Sequence, residues 1–143
     1  MELRRARPGD EGLLASVEQA ANADALVHVF DPPYPWSTVR DRWASVLDDA
    51  RVTSSLVVVG GTAVGYLAHD AGTLRHLGVV ARHRGTGLAD EVLDAVPATV
   101  DRLWVLEANT RARRFYERHG WHPDGRRQPC EFAPFPTEVG YSR

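Results

Sequence analysis

One cysteine, Cys130, stands among 143 residues. No disulfide can close within the chain, and a free thiol suits a reducing compartment, so the expected location is the cytoplasm. Charge of neither sign dominates: 17 basic and 19 acidic side chains leave a formal net charge of −2. General polyanion binding needs a strong basic excess, so no nucleic-acid partner is expected and any phosphate recognition has to be local. No apolar run is long enough to cross a bilayer, and Met1 leads into ELRRARPGDEG rather than into a signal sequence. No membrane partner is expected either. Internal repeats and low-complexity linkers are absent. Six histidines predict no metal site, since His119 and His122 straddle a glycine and no further His, Cys or carboxylate completes a ligand spacing.

What is present suffices for one folded unit. Hydrophobic residues make up 43% of the chain, enough for a core, and the length fits one domain over residues 1–143. Glu2 to Ala6 alternates like a strand and stops at Pro8-Gly9-Asp10, after which Leu13, Leu14, Val17 and Ala21 recur at helical spacing. Beyond a proline-stiffened loop, Asp31 to Trp36, the residues Val39, Trp43, Val46 and Leu47 form the apolar stripe of a second helix. Ser55 to Val59 and Ala63 to Ala68 are β-rich runs joined by Gly60-Gly61-Thr62, a hairpin signal, and Leu74 to Val80 is a third strand of that group. Leu88, Val92, Leu93 and Val96 mark a helix stopped by Pro97. Leu103 to Leu106 is a strand, and Ala112, Phe115, Tyr116 and His119 share one face of a last helix ended by Gly120. The proline-broken tail leaves one edge strand, Glu138 to Tyr141. The order β-α-α-β-β-β-α-β-α-β predicts an α/β layer fold around an antiparallel meander.

Two glycines sit where the third helix opens, in VVARHRGTGLAD, Val79 to Asp90. Glycine weakens a helix start unless a backbone approach or an anion requires it. A Walker loop fails because Leu88-Ala89 stand where a lysine and a hydroxyl residue are needed. A dinucleotide fingerprint is a weak match, because Asp90 follows Gly85 and Gly87 at the third glycine's place and the upstream strands read as antiparallel. What remains is R-x-x-G-x-A over Arg84, Gly87 and Ala89. Backbone N–H groups and the helix N-terminus would there receive a pyrophosphate without metal, although a tight turn with solvated arginines explains the same short pattern.

A second stretch, LWVLEANTRARRFYERHGW from Leu103 to Trp121, adds a strand, an asparagine at a helix start, an aromatic pair and a helix-ending glycine followed by an aromatic residue. Taken with LGVVARHRGTGLA, it resembles the GNAT superfamily of acetyl-CoA-dependent N-acetyltransferases. The resemblance implies a mixed, mostly antiparallel central sheet with helices on both faces, acetyl-CoA as co-substrate and no metal. It puts Leu77, Gly78 and Val79 along the pantetheine arm, with the pyrophosphate on Gly85, Thr86, Gly87, Leu88, Ala89 and Asp90 and Arg84 beside them. Asn109 matches the asparagine that hydrogen-bonds the cofactor arm, and Tyr116 the tyrosine that protonates the departing thiolate.

Amine acetylation needs a deprotonated amine and a proton for the thiolate. Asn109 and Tyr116 lie two helical turns apart on one face, about 10 Å along the axis, although a capping asparagine and a core tyrosine explain the same residues. The strand that carries a carboxylate in some relatives has Thr73, Leu74, Arg75 and His76 instead. His76 and Glu107 are therefore the candidate bases, with solvent as the third taker of the proton. Arg111, Arg113 and Arg114 read as a solvated face. Gly78 stands where relatives often carry an aromatic residue and is expected to widen the acceptor channel, while Tyr34 and Trp36 either line that channel or belong to the core. The expected partner is a small-molecule or peptide amine, with a homodimer allowed. A non-catalytic CoA or acyl-CoA sensor is the second reading, and a nucleotide-phosphate protein of another fold the third.

Overall fold

The structure is a computed structural model that describes all residues except 23, 25, 27, 31 and 32. Asp31, part of the proline-stiffened loop, thus lies outside the described residues. The strands are β1 (Glu2–Arg5), β2 (Thr53–Val59), β3 (Thr62–His69), β4 (Thr73–Val79), β5 (Arg102–Leu106), β6 (His122–Pro129) and β7 (Thr137–Ser142). They form one seven-stranded sheet in the order β1-β2-β3-β4-β5-β7-β6. Every neighbouring pair is antiparallel except β4 with β5. Gly60 and Gly61, with φ of +58° and +79°, supply the two left-handed residues that a type I′ turn needs between β2 and β3.

Among the described residues, four helices cover the sheet: α1 (Glu11–Asn22), α2 (Trp36–Asp48), α3 (Leu88–Asp94) and α4 (Thr110–Arg118). The Trp43 ring of α2 packs edge-on against Tyr66 of β3, centroids 5.7 Å apart, and 5.0 Å from the ring of His76 on β4. The β3–β4 ladder then slips from Ala68↔His76 to His69↔Leu74. Arg75 is the extra residue, a bulge that turns Leu74 to the opposite face from His76. Leu74 pairs with Leu103, whose partner Tyr141 accepts a 2.9 Å hydrogen bond from Nε of Arg113 in α4. Helices therefore lie on both faces, α2 on one and α4 on the other.

Two expectations need correction. A strand that the sequence reading lacks, β6, precedes the proline-broken tail, and Glu138 to Tyr141 belongs to β7, which sits inside the sheet, while β6 forms the edge. The reason is chemical: HPDGRRQP is polar, almost wholly exposed and interrupted by two prolines and a glycine, which an edge strand with a register slip tolerates and a central strand does not. Arg113, expected on a solvated face, spends its guanidinium on the Tyr141 hydroxyl and on the Glu107 carbonyl at 3.0 Å.

Candidate active site

Where β4 and β5 run side by side, their ladder consists of two residue pairs, Thr73↔Arg102 and Leu74↔Leu103. Both strands continue, β4 to Val79 and β5 to Leu106, without further pairing. Among the described residues, the facing edges beyond these two pairs have no strand partner, and backbone groups there need an acceptor or donor from elsewhere. A cavity of about 720 Å³ opens at this divergence, within the range of small-molecule sites. Its walls come from both faces of the sheet: Asn22 and Arg42 on one side, His76 and Leu77 at the gap, Asn109 and Tyr116 on the other.

The glycine loop lies at the exit of β4, after one 3₁₀ turn over Ala81–His83. Gly85 and Gly87 have φ of +73° and +86°, and a Cβ added to either would meet no atom within 4 Å. Their glycine identity thus answers to backbone conformation and to an open outer side, not to packing within the protein. Thr86 locks the turn by donating to the His83 carbonyl at 2.6 Å. Gly87 is the left-handed N-cap of α3 and makes no side-chain cap, so the first N–H groups, Leu88, Ala89 and Asp90, lack helical partners. Such a ring of free amides fits an anion. Arg84, the side chain assigned to the same anion, donates instead to the Ala21 carbonyl near the end of α1, while Asp90, assigned by its amide, has its carboxylate 2.6 Å from Nε2 of His119.

Asn109 caps α4, its side-chain oxygen accepting from the Ala112 N–H at 3.2 Å, and it lines the cavity as well. Capping uses its oxygen and leaves its NH₂ donors available. Gly120, at φ +86°, ends the helix and turns Trp121 under Tyr116, ring centroids 6.1 Å apart. Tyr116 is buried, and burial alone pushes its phenol above the usual tyrosine range. His76 is half-buried at the bulge, and burial first, then the charges of Arg42 and Arg75, hold its imidazole well below the usual histidine range. Its ring is therefore neutral at pH 7. Glu107 forms a 2.7 Å ion pair with Arg127 and is not among the cavity-lining residues. Tyr34 lines the cavity, whereas Trp36 packs against the core and donates to Ser16 Oγ at 3.3 Å.

Gly78 does not widen the channel. A Cβ there would fall 2.3 Å from the Tyr66 hydroxyl oxygen. The aromatic ring comes from the neighbouring strand, at the position paired with Gly78. Sequence reasoning also missed a buried ion pair in the cavity wall, Glu18 of α1 with Arg42 of α2. Tyr34 donates to the same carboxylate at 3.3 Å. The signal was there: Glu18 falls between Leu14 and Ala21 on the apolar stripe of α1, as Arg42 falls between Val39 and Val46 on that of α2, and a charge inside an apolar stripe calls for a buried partner.

Comparison with known proteins agrees with this geometry. Residues 47–123 match the family model of the acetyltransferase (GNAT) domain, more than half of the chain. No curated protein matches. The chain is similar to an acetyltransferase from Thermus thermophilus, at 25% identity and TM-score 0.75 over 99% of this chain and 95% of that one. The PaiA N-acetyltransferase from Thermoplasma acidophilum, solved in complex with coenzyme A, shares the fold at 12% identity and TM-score 0.75, over 99% and 98% of the two chains. So does a variant of the spermidine N-acetyltransferase SpeG from Vibrio cholerae, at 15% identity and TM-score 0.65, over 99% and 93%. A family match through the splayed strands, the glycine loop and the Asn109 helix, on a sheet that overlays along nearly its whole length, makes this chain a member of the GNAT acetyltransferase family.

Proposed function

We propose that the protein is a single-domain enzyme that transfers acetyl from acetyl-CoA to a primary amine by direct attack in a ternary complex. The observation that carries the reading is the divergence of β4 from β5, with the glycine loop and the unpartnered amides at the start of α3 following at the exit of β4. The co-substrate supplies an activated acyl group. Leu77, Gly78 and Val79 offer backbone groups to its arm, Asn109 an amide donor, and the N–H groups from Gly85 to Asp90 a cradle for the pyrophosphate. Arg84 contributes chiefly by holding the loop against α1.

In the transfer the amine nitrogen bonds to the acyl carbon, the carbon–sulfur bond breaks, and one proton passes from nitrogen to sulfur overall. Tyr116 holds the proton for the sulfur. Its phenol stays protonated because burial disfavours phenolate, and the same desolvation raises the proton affinity of a thiolate beside it. His76, neutral and facing the cavity, takes the amine proton, a role for which Glu107 is turned away toward Arg127. The coenzyme A complex of the Thermoplasma relative and the spermidine specificity in the SpeG name support CoA use and an amine acceptor.

The test is release of free thiol from acetyl-CoA across a panel of small amines and peptides, with CoA-dependent melting measured in parallel. The chain contains no lysine, so side-chain self-acetylation adds no background. Thiol release with at least one amine supports the enzyme. Strong CoA stabilisation without turnover on any amine favours the sensor reading, which the absence of a carboxylate on β4 motivates. Stabilisation by ATP with magnesium and none by CoA would overturn both.

A further inference from the structure

The polar tip of Tyr66 lies directly over Gly78, on the strand assigned to the co-substrate. Its hydroxyl occupies the volume that a side chain at Gly78 would fill, with the oxygen 2.3 Å and Cζ 2.5 Å from the Cβ site. Three contacts fix it there. Asn22 Nδ2 donates to the hydroxyl at 3.0 Å, the ring stands edge-on against Trp43, and the β3–β4 ladder pairs Tyr66 with Gly78. The residue is 3% exposed and lines the cavity. Because the oxygen accepts from Asn22, its own proton is free to face the cavity. A rigid, clamped phenol at that point is a wall, and the space it closes is continuous with the gap between β4 and β5.

The geometry points to Tyr66 as the residue that sets the length of the acyl group, its phenol closing the pocket beyond a two-carbon chain. This rests on the acetyltransferase reading and adds which residue limits the co-substrate. A packed aromatic wall discriminates per methylene by roughly tenfold or more, because close-packed surroundings cannot yield volume without strain. Asn22 is a positioning residue in this scheme: it holds the phenol and does not itself meet the acyl chain.

The experiment compares kcat/KM for acetyl-, propionyl- and butyryl-CoA with one competent amine, and the melting shift given by each thioester, for the wild type and for Tyr66→Phe, Tyr66→Leu and Asn22→Ala. The wild type is expected to favour acetyl over butyryl by about tenfold or more. Tyr66→Leu should raise the butyryl-to-acetyl ratio by about tenfold or more, while Tyr66→Phe, which loses the hydroxyl tip and its bond from Asn22, and Asn22→Ala, which loosens the ring, should each raise it by an intermediate factor. If Tyr66→Leu does not fold, Asn22→Ala, near the end of α1, carries the test. A wild type indifferent to acyl length, or ratios unchanged in folded Tyr66→Leu or, failing that, in Asn22→Ala, would overturn the assignment while leaving the enzyme reading intact. A wild type that neither binds nor turns over any thioester would overturn the enzyme reading itself.

Discussion

Arg42→Met tests the cavity wall most directly, because it removes one charge of a buried pair while keeping an apolar stem. Arg42 and Glu18 have side chains 16% and 8% exposed. At that burial, removing one partner leaves a carboxylate whose desolvation is offset mainly by the 3.3 Å bond from Tyr34. Breaking such a pair costs about 3 to 5 kcal/mol. Glu131, 3.9 Å from Arg42 and 60% exposed, adds little, as solvent-exposed pairs do. For a chain of this length, about 4 °C of melting temperature per kcal/mol gives a fall of roughly 12 to 20 °C. Urea unfolding monitored by two probes supplies the free energy and checks two-state behaviour. The double variant Glu18→Leu with Arg42→Met should recover most of the loss, since an apolar replacement of a buried pair is often neutral or better. A cost below about 1 kcal/mol for Arg42→Met would refute the reasoning, showing that water in the cavity already solvates Glu18.

Three further perturbations address the site. Tyr116→Phe should lower kcat by about 10²-fold or more with CoA-induced melting shifts nearly unchanged, and steady-state kinetics that find kcat intact would remove the phenol from proton transfer. Gly87→Glu places a side chain at φ +86° and a negative charge on the anion cradle, so CoA should no longer raise the melting temperature; an undiminished shift would relocate the pyrophosphate. His76 has a folded-state pKa below its ordinary value near 6.5, so the unfolded chain binds its proton first. Its contribution to stability is complete above about pH 6.5 and declines as pH falls below that value toward the folded pKa. In urea titrations from pH 7.5 to 5.5, His76→Gln should flatten that decline; an identical slope would mean that other groups cause it.

Helices and hairpin strands with regular apolar spacing were legible because the period of a side-chain pattern is a local property. Val39, Trp43, Val46 and Leu47 mark α2 without any knowledge of what they touch. β6 was not legible, since an exposed edge strand with two prolines carries no alternation to read. The site divides in the same way. Gly85, Gly87 and Asn109 of the candidate site stand out through turn and cap chemistry within two short stretches, and Tyr116 only through the family resemblance of the second stretch. Tyr66 against Gly78 and Glu18 against Arg42 are pairings across elements, twelve and twenty-four positions apart, and depend on the register of a ladder and the seating of one helix on another. The β4 bulge, which aims His76 at the cavity, leaves no mark in a run as ordinary as Thr73-Leu74-Arg75-His76.

Two rungs join the strands β1 to β4 to the strands β5, β7 and β6. Mechanically the sheet is two plates on a short hinge, with the Gly72 carbonyl accepting from Asp101 and Arg102 at the pivot. A ligand that bonds along both lips of the gap would stand in for the missing rungs and tie the two halves of the sheet together along the length of the gap, not only at the pivot.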